Sequence, residues 1–265
     1  MILESSKDMN RTKIEIDQSK FPKQIQYLFE NTNVYDSSCH SSAKVYYVDR
    51  GYYVKVDALN SLKHEYKMNC LFHKIGLGVE VIHYISSDMD YLVTRSAIGD
   101  DLTYCVNSPE KLCEILALSL KELHSESIDG FPISTRYQRY LESYKDNFKH
   151  GYYDESVLMN RYLIHSKEEA IDIINKDIHL LKADTLIHGD ACLPNVIQNN
   201  GEFSCFIDFN MSGVGDKHID LYWAIWSLQY NLKTDMYTEL FFDLYGREEI
   251  NEKVLKLIAA FELLG

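Results

Sequence analysis

The stretch LIHGDACLPNVI, residues 186–197, decides how the rest of the sequence is interpreted. It places a carboxylate, Asp190, between two apolar, strand-like runs, with Asn195 five residues further on. The next apolar run ends in the same way, in FIDF (206–209), with a second carboxylate at Asp208. A charged side chain in such surroundings costs stability unless something pairs with it. Two acids at the ends of two successive strand-like runs therefore indicate a functional site.

Length and composition allow one large domain or two small lobes, because the chain has 265 residues and 46% of them are apolar. The first residues, MILESSKDMNRTKIEID, lack the apolar core of a signal peptide, and no run is long enough to span a membrane. The six cysteines show no CxxC spacing, which favours reduced thiols in a cytoplasmic protein. No feature of the sequence indicates an obligate protein partner.

The charge balance restricts the classes of partner. With 27 basic and 40 acidic residues the net charge is −13. Such a surface repels nucleic acid and anionic lipid and attracts a cation. The net charge would also be explained by solubility alone. It therefore supports a function only where a binding site requires negative charge.

The first part of the chain predicts a mostly antiparallel sheet with one inserted helix. KVYYVDRGYYVKVD (44–57) reads as two strands around the hairpin signal Asp49-Arg50-Gly51. Residues 61–78 have the pattern of a helix stopped by glycine, and 79–97 have the pattern of two more strands. This part is expected to form an N-terminal lobe over residues 1–97.

Beyond Gly99 the pattern becomes helical. Ser108 is a predicted N-cap with Pro109 at the first helical position, and further helices are predicted around 135–149, around 166–182 and from 219 to the end. Asn199-Asn200-Gly201 predicts a hairpin turn between the two apolar runs. The fold class is therefore α+β, with a larger helical lobe over residues 98–265.

The spacing of Asp190, Asn195 and Asp208 is typical of phosphoryl transfer to an alcohol. That reaction needs a carboxylate to orient the hydroxyl and take its proton, and an amide and a second carboxylate to hold magnesium. Kinase-like enzymes space the first acid and the amide as D-x-x-x-x-N, and the metal carboxylate follows a hairpin. Structural turns also contain Gly-Asp, but the complete set favours a catalytic loop.

A lysine for the nucleotide phosphates is expected in the first lobe. Lys55 lies within the apolar strand YYVKVD, and Glu65 in the following helix is a candidate partner. The alternative is a lysine whose stem lies along the sheet with its ammonium in water. Ser41 and Ser42, in HSSAKVY, either cap phosphate oxygens or form an ordinary polar turn.

Three polar residues near the predicted loop are interpreted as structural. His188 is expected to be buried and to orient the loop. Asp216 and Asp220, in GVGDKHID, are expected to cap the helix that begins near Ile219 or to brace the loop.

Taken together, these motifs resemble those of the aminoglycoside O-phosphotransferases, and most of all the 3′-type enzymes. HGDACLPN resembles the catalytic loop of that family, and FIDF with GVGDKHIDL resembles its metal and bracing segment. SSAKVYYV, ELHS and FFDLYG extend the similarity over nearly the whole chain. The resemblance implies a protein-kinase-like fold with a small antiparallel-sheet N-lobe and a larger helical C-lobe. It also implies transfer of the γ-phosphate of ATP to an antibiotic hydroxyl, the 3′-hydroxyl.

The resemblance assigns roles to individual residues. Asp190 would be the catalytic base, and Asn195 and Asp208 would bind Mg²⁺. Lys55 would contact the phosphates and pair with Glu65. The other positions implied are Ser41 at the phosphates, Tyr53 stacked on adenine, backbone groups of Arg95 and Ala97 at the adenine edge, and Glu262 in the acceptor pocket.

An aminoglycoside is a polycation, so its pocket needs carboxylates. Besides Glu262, the candidates are Asp190 itself, the C-terminal carboxylate of Gly265, and Asp154 and Glu155 in GYYDES, where the family builds its substrate flap. The alternative is that Asp154 and Glu155 are solvated surface residues.

Three departures from the family pattern leave the identity of the acceptor open. The family usually has Gly-Arg-x-Gly after the metal aspartate, where this chain has Asn210-Met211-Ser212-Gly213. Leu193 stands where some relatives carry an acid, and Leu264 replaces the usual terminal aromatic residue. A kinase of another small-molecule alcohol on the same fold therefore remains an alternative. A non-catalytic nucleotide-binding module is a third one, which the presence of the base, the metal ligands and the lysine disfavours.

Overall fold

The computed structural model describes residues 12–38 and 43–265, and the chain divides into two compact units. The first unit comprises the residues up to Asp100 and a second segment, Ser204–Asn210. The second unit comprises Asp101–Phe203 and Met211–Gly265. The candidate metal ligand Asp208 therefore lies in the first unit and the candidate base Asp190 in the second.

The first unit contains the antiparallel sheet that the sequence predicted. Its elements are β1 (Thr12–Ile14), β2 (Val34–Asp36), β3 (Lys44–Val48), β4 (Tyr52–Asp57), α1 (Lys63–Lys74), β5 (Val81–Ser86) and β6 (Asp90–Arg95). The strand order is β1-β2-β3-β4-β6-β5, and every pair is antiparallel. Strands β1 and β2 were not predicted, because each has only three residues, too few to show a period.

The two faces of β4 have different environments. Val54 and Val56 are buried in an apolar cluster with Leu28 and Phe29. Because successive side chains in a strand point to opposite faces, Lys55 lies on the other face of the sheet. Burial of each valine contributes about 1.5–3 kcal/mol. The apolar face therefore fixes the register that places Lys55 on the opposite side.

The second unit is mainly helical. Along the chain the remaining elements are β7 (Asp100–Asp101), α2 (Pro109–His124), α3 (Thr135–Lys149), α4 (Lys167–Asp177), β8 (Thr185–Ile187), β9 (Val196–Asn199), β10 (Glu202–Phe206), β11 (Gly213–Gly215), α5 (His218–Leu232), α6 (Thr238–Tyr245) and α7 (Glu252–Leu263). Pro109 begins α2 as predicted, and Ser108 occupies the cap position, although its hydroxyl makes no capping hydrogen bond. Ser134 and Ser166 do cap α3 and α4 through their side chains.

Two further findings concern the helices and the cysteines of the described residues. Within residues 12–38 and 43–265, none of the helices combines the length and apolarity that crossing a membrane requires. The five cysteines in these ranges are all free thiols. Cys39 and Ser41 lie outside the described residues.

Candidate active site

The loop that carries Asp190 follows β8, which pairs with β11 rather than with the strand that precedes Asp208. Gly189 in this loop has a φ of +80°. A Cβ atom at this position would lie 2.2 Å from the Met211 carbonyl oxygen. Only glycine combines this conformation with so close a backbone approach, so Gly189 fixes the path of the chain into Asp190.

Asp220, at the start of α5, braces the loop as the sequence analysis expected. Its side chain is fully buried. It accepts hydrogen bonds from the backbone N–H groups of His188 and Gly189, both at 2.7 Å. His124 lies 3.1 Å from the same carboxylate. His188 is also buried, and its Nδ1 accepts the Asp190 backbone N–H at 3.3 Å.

Replacing Asp220 by alanine is expected to lower the free energy of unfolding by about 3 kcal/mol, because two buried backbone donors lose their acceptor. The loop would also lose its support, so turnover is expected to fall with stability. Urea unfolding followed by circular dichroism measures the first effect. Glu248, an exposed acid that follows α6, provides the matched control as Glu248→Ala. Equal stability of the two variants would show that Asp220 does not brace the loop.

The candidate base Asp190 is held by its own loop. Its side chain is a third exposed. The Asn195 amide nitrogen donates to the Asp190 carbonyl oxygen at 2.9 Å and to its carboxylate oxygen Oδ2 at 3.1 Å. The Cys192 thiol lies 3.4 Å from the other oxygen, Oδ1, and burial together with this charge raises the pKa of the thiol. The predicted D-x-x-x-x-N pair is thus in direct contact.

In the first unit, Lys55 lies between two carboxylates. Its Nζ is 2.8 Å from Glu65 Oε2 and 3.1 Å from Asp208 Oδ1. Burial alone would lower the pKa of Lys55, but the charges of Glu65 and Asp208 outweigh it and raise that pKa. Burial raises the pKa of Glu65, and the Lys55 ammonium opposes that rise. The alternative of a lysine with its ammonium in water is therefore wrong.

Asp208 has an unusual backbone. Its φ is +63°, in the left-handed region that non-glycine residues seldom adopt. Its side chain is half exposed, in contrast to that of Glu65 on the other side of Lys55. A strained, accessible carboxylate held by a lysine is typical of a functional residue rather than a structural one.

The residues implied at the adenine lie around β4 and β6. Tyr53 and Lys55 are two residues apart in β4 and share a face of the sheet. The Arg95 side chain is exposed and pairs with Glu80 at 2.9 Å. The Arg95 backbone N–H donates to the Glu80 carbonyl at 2.9 Å, so this N–H is already engaged within the protein. Ala97 is half-buried just after β6.

A pocket of about 400 Å³ lies in the second unit. Two of the three predicted acceptor-binding acids, Asp154 and Glu262, line it. Glu155 is exposed and does not line this pocket. The complete lining consists of Arg136, Arg139, Asn147, Tyr152, Asp154, Val157, Trp223, Glu262 and Gly265.

The charge of Glu262 is offset within the protein. Its Oε1 accepts hydrogen bonds from Arg136 at 2.7 Å, from Trp223 at 2.7 Å and from the Tyr140 hydroxyl. Arg139 lies 3.7 Å from the other oxygen. The pocket therefore contains two arginines beside its two acids, and is less acidic than the sequence analysis expected.

Arg136 is the residue of this region that sequence reasoning missed. Its guanidinium lies 4.6 Å from the Trp223 ring centroid, and its Nη2 is 3.9 Å from Asp190 Oδ1. It thereby connects the pocket with the candidate base. In the sequence it looks like an ordinary surface arginine in the first turn of a helix, so no pattern indicates its burial. The departures from the family pattern at Met211, Leu193 and Leu264 indicated that the acceptor side differs, but none of them indicated Arg136.

The architecture and the Asp190–Asn195 loop are those expected of a phosphotransferase, and comparison with known proteins supports this class. A family model described as "phosphotransferase enzyme family" matches residues 86–253, which include Asp190, Asn195 and Asp208. A probable aminoglycoside 3′-phosphotransferase of Lactococcus lactis is 38% identical over 97% of this chain and 99% of its own length. An aminoglycoside 3′-phosphotransferase of Niallia circulans is 28% identical over 62% of this chain and 63% of its own length. The chain belongs to the phosphotransferase enzyme family.

Solved structures confirm the fold. An aminoglycoside phosphotransferase from Streptomyces rimosus matches 86% of this chain and 91% of its own, with a TM-score of 0.71 at 18% identity. A type VIII aminoglycoside 3′-phosphotransferase matches 89% of this chain and 95% of its own, with a TM-score of 0.70 at 20% identity. The predicted α+β, protein-kinase-like fold with two lobes is therefore correct.

Proposed function

We propose that this enzyme transfers the γ-phosphoryl group of ATP to the 3′-hydroxyl of an aminoglycoside. The observation that carries the proposal is the Asp190 carboxylate, which is accessible, held by Asn195, and linked through Arg136 to a pocket of about 400 Å³. The near full-length similarity to a probable 3′-phosphotransferase supports this choice of acceptor. The proposed reaction needs no protein partner, nucleic acid or membrane, and we place it in the cytoplasm, where ATP is available.

Asp190 carries the proton transfer in this proposal. One carboxylate oxygen accepts the hydrogen bond from Asn195. The exposed part of the carboxylate accepts a hydrogen bond from the hydroxyl group of the substrate. The carboxylate orients this hydroxyl and takes its proton as the bond to phosphorus forms. Because Asn195 and the braced loop fix the group, little reorganisation is needed during the reaction.

The nucleotide is assigned to the first unit. Lys55 is the cation for the phosphates, and Glu65 holds it in place from the buried side. Tyr53, on the same face of β4, is the proposed stacking partner of adenine, and Arg95 and Ala97 offer backbone groups to its edge. Ser41 keeps its proposed contact with the phosphates, although it lies outside the described residues. The small Thr94 side chain in β6 favours ATP as the donor.

Magnesium is assigned to Asp208 and Asn195. The described residues contain no group of three or more His, Cys, Asp or Glu side chains that would hold a metal alone. Asp208 nevertheless offers a half-exposed carboxylate, and the Asn195 amide nitrogen is engaged by Asp190, which leaves the amide oxygen as its donor atom. Oxygen ligands are the type that Mg²⁺ prefers, and bound Mg²⁺ would neutralise the phosphate charge.

The acceptor is assigned to the pocket in the second unit. Asp154 contributes a carboxylate to it, and Glu155 lies next in the chain at the surface. In this proposal Glu262 forms part of the pocket wall, and Arg136 and Trp223 fix its position. Because these groups offset its charge, Glu262 attracts a cationic substrate less than Asp154 does. The polycation is recognised by Asp154, Asp190 and the field of the whole surface, whose net charge is −13.

The acceptor KM is expected to rise with ionic strength, because salt screens exposed charges, while the KM for ATP changes less. Asp154→Asn is expected to raise the acceptor KM at low salt and to flatten the salt dependence. Glu155→Gln removes the same charge outside the pocket and is the matched control. The measurement is a KM series against salt for the wild type and both variants.

One observation favours a second candidate function. Because Arg136 and Arg139 offset Glu262, one of the two acids of the pocket, a less charged alcohol also fits its chemistry. A neutral alcohol turned over as well as any aminoglycoside, with no salt dependence, would establish the metabolite kinase instead. An ATP-consumption screen against aminoglycosides and metabolite alcohols separates the two.

A further inference from the structure

Arg136 connects the wall of the pocket with the candidate base. The residue lies in the first turn of α3, and its side chain is only 8% exposed. Its Nη1 is 2.7 Å from Glu262 Oε1, and its Nη2 is 3.9 Å from Asp190 Oδ1. One guanidinium therefore spans two carboxylates, one in α7 and one in the catalytic loop.

The guanidinium is held in place from several sides. Trp223 lies against its face, with 4.6 Å between the Arg136 Cζ and the ring centroid. Burial alone would lower the pKa of Arg136, but the surrounding groups, Glu262 foremost, raise it, so the cation is permanent. Its Nε is buried without a hydrogen-bond partner among residues 12–38 and 43–265. The contacts with Glu262 and Trp223 restrain the guanidinium, so its position relative to Asp190 is fixed as well.

The start of α3 is itself attached to the segment that departs from the family pattern. The Ser134 hydroxyl donates to the Met211 carbonyl at 2.6 Å, and the Ser134 backbone N–H donates to the Val214 carbonyl at 2.9 Å. Thr135 Oγ1 lies 3.6 Å from Met211 Sδ. The first turn of α3, which carries Arg136, is therefore anchored to the segment in which the arginine of the family pattern is missing.

Resting on the proposed function, we propose that Arg136 is a positioning residue for Asp190, and that it couples the wall of the acceptor pocket to the base. Its planar fork makes a direct hydrogen bond to Glu262 and orients the Asp190 carboxylate by charge. The competing explanation is that Arg136 only neutralises the buried charge of Glu262.

Arg139 provides a matched control. It lies in the same helix and also lines the pocket, with its Nη2 3.7 Å from Glu262 Oε2. In the described part of the chain it has no ion pair with Asp190. Replacing Arg139 therefore tests the effect of neutralising Glu262 while the surroundings of Asp190 stay unchanged.

The experiment compares kcat and acceptor KM of Arg136→Met, Arg136→Lys and Arg139→Met, with thermal unfolding as a check of folding. Arg136→Met is expected to lower kcat by about 10- to 100-fold, because misplacement of a reacting group has an effect of this order. Arg139→Met is expected to act mainly on the acceptor KM. Arg136→Lys is expected to recover part of kcat, because it restores the charge but not the fork.

The double variant Arg136→Met/Glu262→Gln decides between the two explanations. It leaves no unpaired charge at position 262, so it is expected to fold even where Arg136→Met alone is unstable. If Arg136 acts on Asp190, kcat of the double variant stays low. Recovery of kcat to the wild-type value, or an Arg136→Met effect no larger than that of Arg139→Met, would overturn the proposal. If the wild type phosphorylates only a neutral alcohol, the proposal of an aminoglycoside acceptor is wrong. The kcat values of the Arg136 and Arg139 variants are then compared with that alcohol as substrate.

Discussion

Replacing Asp190 by alanine is expected to lower kcat by about 10²–10⁴-fold, the usual contribution of a positioned base. The ATP affinity is expected to change little. Asp190 is assigned to the hydroxyl of the acceptor, whereas the phosphates are assigned to Lys55, which pairs with Glu65 and Asp208. Steady-state kinetics with both substrates varied, together with nucleotide binding measured by calorimetry, separates the two effects.

Asp184 provides the control for this variant. It is an exposed acid immediately before β8, so Asp184→Ala removes one negative charge from the same region without touching the loop. Its kcat is expected to stay near that of the wild type. An Asp190→Ala enzyme that kept more than about a tenth of wild-type turnover would show that another group takes the proton.

Replacing Asp208 by asparagine is expected to lower turnover by about 10³-fold or more and to abolish the dependence on magnesium. A bound metal stabilises the charge of the transition state by several kcal/mol, and each tenfold in rate corresponds to about 1.4 kcal/mol. Asparagine suits the test because it tolerates the left-handed backbone at this position, where φ is +63°. The variant is therefore expected to fold. Activity is measured over a magnesium titration.

Asp88→Asn is the matched control, since Asp88 is an exposed acid of the same unit. It lowers the negative charge of that unit by the same amount and is expected to keep the wild-type response to magnesium. A fully active Asp208→Asn enzyme with an unchanged magnesium optimum would place the metal on other residues.

The catalytic loop could be predicted from sequence because its chemistry is local. Asp190 and Asn195 are five residues apart, and the loop itself brings them into contact at 3.1 Å. Lys55 could be predicted in the same way, since a lysine in an apolar strand needs a partner. The register of β4 then places it beside Glu65 and Asp208.

The pocket could not be predicted to the same extent, because it is assembled from distant parts of the chain. The contact between Arg136 and Glu262 joins residues 126 positions apart. Nothing in the local pattern of α3 or α7 distinguishes a buried ion pair from two solvated charges. The acids at positions 154, 155 and 262 were all predicted to bind the acceptor, whereas Glu262 is buried and paired and Glu155 is exposed.

Short elements were missed for a related reason. β11 is Gly213-Val214-Gly215, which has no strand pattern, and it forms only by pairing with β8. This pairing brings Met211 to Gly189, where any side chain would collide with the carbonyl of Met211. The glycine in HGD could be recognised as part of a motif, but its steric reason depends on that distant strand.

The most direct test of the proposed reaction is mass spectrometry of the products formed from ATP and a matched pair of aminoglycosides, one with a 3′-hydroxyl and one 3′-deoxy analogue. The proposal predicts that the first compound gains a single phosphoryl group in the presence of wild-type enzyme and magnesium. The 3′-deoxy analogue is predicted to remain unmodified, as is the first compound with Asp190→Ala. Equal phosphorylation of both compounds would contradict the 3′ assignment, and modification of neither, with a metabolite alcohol phosphorylated instead, would contradict the aminoglycoside as substrate.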